Sequence, residues 1–230
     1  MKIGGYQKNS RTDFPSKNAI VVYTQGCDWR CPYCHSRSLV MPARFQPAVP
    51  ELEFFAILEA EREMCDAVVA TGGEPTLQPD LASFLRRIKA LGFATKLDTY
   101  GGRPGVIASL LDQHLVDYIA MDVKGPLAGY SRFCGTAVDP GMIELSIELV
   151  RSAGVPYEFR TTVVGGLHRP EDLRALAPLV SGTRRFALQS YRPPAGKAVG
   201  LEKFSAPTAD LFHEAGEVLR EHVEEFIVRS

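Results

Sequence analysis

From residue 19 onward the chain alternates short runs rich in β-branched and aromatic residues with longer amphipathic runs. That alternation is its tightest constraint, because strands separated by helices assemble into a parallel sheet. Strands are expected at "AIVVYTQ" (19–25), "DAVVATGG" (66–73), "FATKLDT" (93–99), "YIAMDVK" (118–124), "PYEFRTTVV" (156–164) and "RFALQSY" (185–191). Helices are expected over 51–64, 81–91, 104–115, 140–152, 170–180 and 207–222, with a short "EFIVR" strand at the end. The helix after Asp80 is the clearest. Asp80 suits an N-cap, Leu81, Phe84, Leu85, Ile88 and Leu91 form one apolar face, and Gly92 stands where a helix-ending glycine belongs. An open doubly wound sheet and a partial barrel both accommodate such a series of βα units.

The chemically unusual residues follow or end strands rather than begin them. The first strand runs into three cysteines and the second into Gly72, Gly73 and Glu74; the third ends at Asp98 and Thr99, and the fourth at Asp122 and Lys124. Ligand sites of parallel α/β folds gather at the C-terminal ends of the strands, so one mouth is expected to collect these groups. A single domain is expected over 1–230, with an N-terminal extension (1–18), a core (19–191) and a C-terminal loop, helix and strand (192–230). "MPARFQPAVP" (41–50) reads as a surface connection, and "RPPAGKAVG" (192–200) as a mobile one at the mouth.

Composition narrows the class. A formal net charge of −1 with 23% charged residues carries no global signature of a nucleic-acid or anionic-membrane binder. The opening "MKIGGYQKNS" lacks the apolar core of a signal peptide, and no later run approaches the ~20 apolar residues of a spanning helix, so a cytoplasmic protein is expected. Five cysteines is an odd number, and in a reducing compartment thiols favour metal or redox chemistry over a disulfide framework.

Cys27, Cys31 and Cys34 sit in "GCDWRCPYCHS" with C-x3-C-x2-C spacing, close enough to converge on one soft metal centre. A structural zinc site needs four protein ligands. A zinc-binding interaction module would have to recruit His35, Cys65 or Cys134, although Cys65 and Cys134 read more simply as structural residues. A cubane iron–sulfur cluster held by three cysteines instead leaves one iron open to a ligand. Gly72 and Gly73 remove side chains where a ligand must approach the backbone, and Glu74 offers a carboxylate to an ammonium group. Asp122 and Lys124, two apart on a strand, point to one face, where they could equally be a buried ion pair. Trp29 reads as a cover for the loop, Tyr33 as a ring able to lie against a planar ligand, and the histidines outside the loop as packed or solvated.

The "CDWRCPYC" loop after the first strand and "TGGEP" after the second resemble the radical S-adenosylmethionine superfamily. The resemblance implies an α/β fold, a partial (β/α)6 barrel with helices outside. It also implies a [4Fe–4S] cluster on Cys27, Cys31 and Cys34, whose remaining iron takes the amino and carboxylate groups of S-adenosylmethionine. An external donor such as flavodoxin or ferredoxin would reduce the cluster, the sulfonium C–S bond would break, and the adenosyl radical formed would take hydrogen from the substrate. Such chemistry requires no acid–base pair from the protein. By the same resemblance Tyr33, Gly72, Gly73, Glu74, Asp98, Thr99, Asp122, Lys124, Arg160, Gln189 and Tyr191 are cofactor-binding candidates, Gln189 and Tyr191 at the adenosine end. Asp98, Thr99 and Asp122 are also candidates for a monovalent cation, and Arg160 for a salt-bridged barrel residue.

The stretch "KIGGYQKNSRTDFPSKNAIVVYTQGCDWRCPYCHS" resembles the activating proteins of anaerobic ribonucleoside-triphosphate reductase, which make a glycyl radical on a partner enzyme. Ser36 replaces the usual asparagine of "CHN" and Tyr100 that of "LDTNG". Activation of another glycyl-radical enzyme such as pyruvate formate-lyase differs only in the partner. The 7-carboxy-7-deazaguanine synthases usually carry an aspartate and a hydroxyl residue after the third cysteine to bind magnesium; here His35 and Ser36 stand there.

Overall fold

The computed structural model describes residues 1–194 and 200–229. Strand β1 (Ile3–Ser10) pairs antiparallel with β2 (Ala19–Thr24), and from β2 every pairing is parallel: β3 (Ala67–Gly72), β4 (Ala94–Thr99), β5 (Tyr118–Asp122), β6 (Tyr157–Val163), β7 (Thr183–Ser190) and β8 (Val223–Arg229). The spatial order is the chain order, β1 to β8. A doubly wound sheet reverses direction at a switch point, and this one does not. Right-handed crossovers therefore place the helices on one face, and strand twist curls the sheet around the other. No pairing joins β8 to β1 among the described residues, which leaves the barrel open.

The helices are α1 (Arg37–Val40), α2 (Glu51–Ala60), α3 (Leu81–Ala90), α4 (Pro104–Asp112), α5 (Tyr130–Cys134), α6 (Pro140–Arg151), α7 (Pro170–Val180) and α8 (Ala209–Arg220). On α3 the buried face is Leu81, Phe84, Leu85 and Ile88, and Gly92 adopts the left-handed φ of +87° that ends the helix. Asp80 occupies the N-cap, but its side chain makes no capping bond. None of the helices is long and apolar enough to cross a membrane among the described residues.

Burial on both faces explains the near-continuous apolar strands. Ile20, Val22, Val68 and Ala70 face the helix layer, while Ala19, Val21, Ala67, Val69 and Ala120 face inward and meet Phe14 and Tyr118. Alanines suit the narrow concave side. Phe14, on the link between β1 and β2, is 5% exposed and lies 5.7 Å from the Tyr118 ring, closing the end of the barrel where the strands begin.

Three features differ from the sequence expectation. Residues 3–10, expected as extension, form a strand, because "IGGYQKNS" has no alternation of its own and is held by backbone pairing with β2. The short helices α1 and α5 carry too little periodicity to read. The closing strand is longer than "EFIVR" and continues the parallel sheet. Of the connection expected to be mobile, 195–199 lie outside the described residues.

Because Phe14 fills the concave side, Phe14→Ala is expected to cost about 3 kcal/mol of unfolding free energy in urea titrations. Leu52→Ala, at a position 82% exposed, should change it by less than about 0.5 kcal/mol.

Candidate active site

The loop after β2 begins with Gly26 at φ +105°, and it is tied down mainly through its backbone. The Arg30 guanidinium donates to the carbonyls of Cys27 (2.6 Å) and Trp29 (2.8 Å), Cys34 N–H donates to Cys31 O (3.1 Å), and Arg30 N–H donates to Cys134 O (2.9 Å) in α5. Cys27, Cys31 and Cys34 are free, half-buried thiols; burial, its largest cause, pushes Cys27 up to about 12. Cys65 and Cys134 are buried in the core, Cys134 beside the loop.

The glycines after β3 are required by the chain itself. A Cβ on Gly72 would stand 2.4 Å from the Thr24 nitrogen, and one on Gly73 would stand 2.1 Å from the Gly26 oxygen. Gly73 N–H donates to Thr24 O and Glu74 N–H to Gly26 O, both at 2.8 Å. The close approach expected for a ligand is thus made by β2 and the start of the cysteine loop. Glu74, 1% exposed, gathers the neighbouring turns. One carboxylate oxygen accepts from Thr76 N–H (3.1 Å), Thr76 hydroxyl (2.5 Å) and Thr99 hydroxyl (2.7 Å), and the other from Tyr100 N–H (3.0 Å). Burial pushes its carboxyl up to about 7 against the pull of those hydrogen bonds.

Inside the barrel, Arg160 on β6 joins the ends of β4 and β5. Its Nη1 lies 3.0 Å from Asp98 and its Nε 2.9 Å from Asp122. Lys96 lies 2.6 Å from the other Asp98 oxygen and Lys124 3.3 Å from Asp122. The ion-pair reading of Asp122 and Lys124, and the barrel salt bridge for Arg160, are both realised. Burial alone would raise both carboxyls, but Arg160 with Lys96 or Lys124 outweighs it, holding Asp98 low and Asp122 down at about 2. Three cations thus meet two carboxylates.

A cavity of about 200 Å³ at the strand ends is lined by every predicted site residue except Tyr33, Gln189 and Tyr191. Those three line an adjoining cavity of about 520 Å³, which shares Cys34, Ser36 and Asp122 with the first. The Tyr191 hydroxyl is buried with no partner among the described residues. Trp29 and Tyr100, both 6% exposed, also line the first cavity. Sequence reasoning missed Lys96, although "KLD" repeats the i, i+2 signal recognised in "DVK", and it missed Asp28 and Arg103, which carry no motif. His168 is packed as expected: Nδ1 accepts from Val164 N–H at 3.1 Å, which leaves the Nε2 proton to Lys124 O at 2.9 Å.

Such a mouth, with clustered thiols beside a glycine turn and a buried carboxylate, is that of an iron–sulfur enzyme of the radical SAM type. The sequence signature of the Radical SAM superfamily matches residues 21–178, and the chain belongs to that superfamily. It is 30% identical over 233 residues (99% of this chain, 95% of the other) to a Methanocaldococcus jannaschii protein provisionally described as a glycyl-radical enzyme activating enzyme. It is also 27% identical over 225 residues (88% and 83%) to the 7-carboxy-7-deazaguanine synthase of Thermococcus kodakarensis. In fold it is similar to Streptococcus suis SuiB bound to S-adenosylmethionine, with a TM-score of 0.69 at 17% identity, over 91% of this chain and 50% of SuiB. Membership implies a [4Fe–4S] cluster and S-adenosylmethionine.

Removing Arg160 would take one of its two cations from each buried carboxylate. Arg160→Ala is expected to lose about 3 kcal/mol of stability at pH 7. Depressed carboxyls contribute stability above their unfolded pKa and lose it as pH falls through the folded value, so the deficit in urea titrations should shrink below about pH 3.

Proposed function

We propose that this chain is a glycyl-radical enzyme activating enzyme, acting as one unit over 1–230, and that its target is anaerobic ribonucleoside-triphosphate reductase. One observation carries the reading: the three cysteines, Glu74, Thr99 and Asp122 line one cavity at the strand ends, in a chain that aligns nearly end to end with the archaeal activating relative.

The residues fit the cofactors. The thiols are unpaired, and among the described residues no three His, Cys, Asp or Glu side chains are arranged to hold a single metal ion. A [4Fe–4S] cluster takes three such thiolates on three separate irons. The smaller cavity equals about seven waters at about 30 Å³ each, room for an amino-acid moiety, and the unpartnered Tyr191 hydroxyl beside the larger one suits a polar adenosine.

When bound, the cluster and S-adenosylmethionine supply reductive cleavage of the sulfonium and abstraction of a hydrogen atom, the reducing electron coming from a flavodoxin or ferredoxin. The chain's own residues have narrower tasks. Cys27, Cys31 and Cys34 hold the metal, and the remaining lone pair of Glu74 Oε2 accepts an N–H from the cofactor's amino group. Asp98, Asp122, Lys124 and Arg160, with Lys96, fix the floor as a paired charge set, and Trp29 and Tyr100 keep water from one side. Tyr33, Gln189 and Tyr191 hold the adenosine end. A second reading, 7-carboxy-7-deazaguanine synthase, draws on the Thermococcus relative, and His35 and Ser36 oppose it.

Anaerobically reconstituted protein is expected to carry about four irons, to lose them in Cys31→Ala and to keep them in Cys134→Ala. Mixed with the reductase, S-adenosylmethionine and a reduced donor, it should produce a glycyl-radical resonance on the reductase. A response only from another glycyl-radical enzyme would overturn the target, and turnover of the deazaguanine precursor alone would favour the second reading. An N–H donated by the cofactor's amino group favours the Glu74 carboxylate over the neutral acid, so cofactor binding releases a proton from a carboxyl pushed up to about 7. Affinity measured by calorimetry should therefore fall about tenfold from pH 8 to pH 6.

A further inference from the structure

We propose that Tyr100 is a positioning residue that locks the cysteine loop to the Glu74 turn, with Asp28 and Arg103 completing the lock. This rests on the reading that the three cysteines hold a cluster. Tyr100 follows β4 and is anchored in three directions. Its N–H donates to Glu74 at 3.0 Å, its hydroxyl donates to Asp28 Oδ1 at 2.9 Å, and its ring meets Trp29 edge-on with centroids 3.9 Å apart. Arg103 donates to the second Asp28 oxygen at 3.1 Å.

Asp28 and Trp29 directly follow Cys27, so one side chain grips two consecutive residues of the Cys27–Cys31 segment. The same residue's backbone is bonded to the carboxylate proposed to receive the cofactor's amino group. A displacement of Tyr100 thus changes where the thiols stand relative to Glu74. The fit is close. A Cβ on Gly102 would stand 2.9 Å from the Tyr100 ring and 3.1 Å from Trp29.

The two rings are also a partition. Both line the cavity of about 200 Å³ at the strand ends, and both line a second one of about 530 Å³ on the outer side with Asp28 and Arg103. The Tyr100 hydroxyl is spent on Asp28, so its contribution is to position and to screen.

The test uses full-length reconstituted protein carrying Tyr100→Phe, Asp28→Ala or both. Tyr100→Phe keeps the ring and removes only the hydroxyl, and the Asp28 side chain is 45% exposed, so either variant serves if the other folds poorly. Each single variant is expected to assemble a cluster but to release iron to a ferrous chelator about fivefold faster than wild type. The double variant should be no faster than the worse single, because one hydrogen bond is shared. The change that S-adenosylmethionine makes in the electron paramagnetic resonance of the reduced cluster should also be altered in Tyr100→Phe, which loss of global stability alone would not produce. Wild-type rates and spectra in both single variants would overturn the lock and leave the functional reading standing. Failure of the wild type to carry a cluster would overturn both.

Discussion

The site depends on a contact between two backbones. Strands β2 and β3 are neighbours in register, and just beyond them Gly73 and Glu74 donate to Thr24 and Gly26 across a gap that no side chain could enter. Glycine is needed at 73 because a Cβ there would displace the carbonyl that starts the cysteine loop. Through these bonds the loop inherits the rigidity of the sheet. Glu74 extends the connection to β4, accepting from Thr99 and Tyr100, and Tyr100 returns it to the loop through Asp28. Sheet, glycine turn and cysteine loop form one closed circuit.

The barrel interior obeys a different constraint. Toward the strand ends it carries Lys96, Asp98, Asp122, Lys124 and Arg160, and around Phe14 it holds an apolar cluster. Burying charge is costly unless it is paired. Here each carboxylate meets two cations, and Arg160 uses separate nitrogens on separate acids. The arrangement gives a polar floor whose geometry is set by strand register, since Asp122 and Arg160 are directly paired residues of β5 and β6.

Much of this was legible in the sequence, for identifiable reasons. Parallel strands buried on both faces are apolar throughout, and glycines and acids at their ends mark where they stop, so the strands from β2 to β7 and the cysteine loop could be read. Asp122, Lys124 and Arg160 could be identified, and the Asp122–Lys124 ion pair with them, but not the partnership of Arg160 with Asp122, because Arg160 lies 38 residues beyond Asp122 in sequence. Gly72 and Gly73 were read as room for a ligand, whereas the room is taken by the chain; a glycine signals a close approach without saying to what. Strand β1 could not be read at all, because its order comes from its partner. Tyr100 stood out only as a departure from "LDTNG", and its bond to Asp28 could not be read, since a hydrogen bond between residues 72 apart leaves no periodic trace.

The monotonic strand order bears on how such a chain is made. Each strand from β2 onward finds its neighbour already present when synthesis proceeds from the N-terminus, so the sheet can grow one edge at a time without waiting for distant segments. The charge set cannot. Asp98 and Asp122 emerge before Arg160 does, and until β6 docks they face an open, hydrated trough. The floor of the mouth is thus among the later parts to be completed, and a nascent chain that has already formed the cysteine loop has not yet formed the surface on which its cofactor would rest.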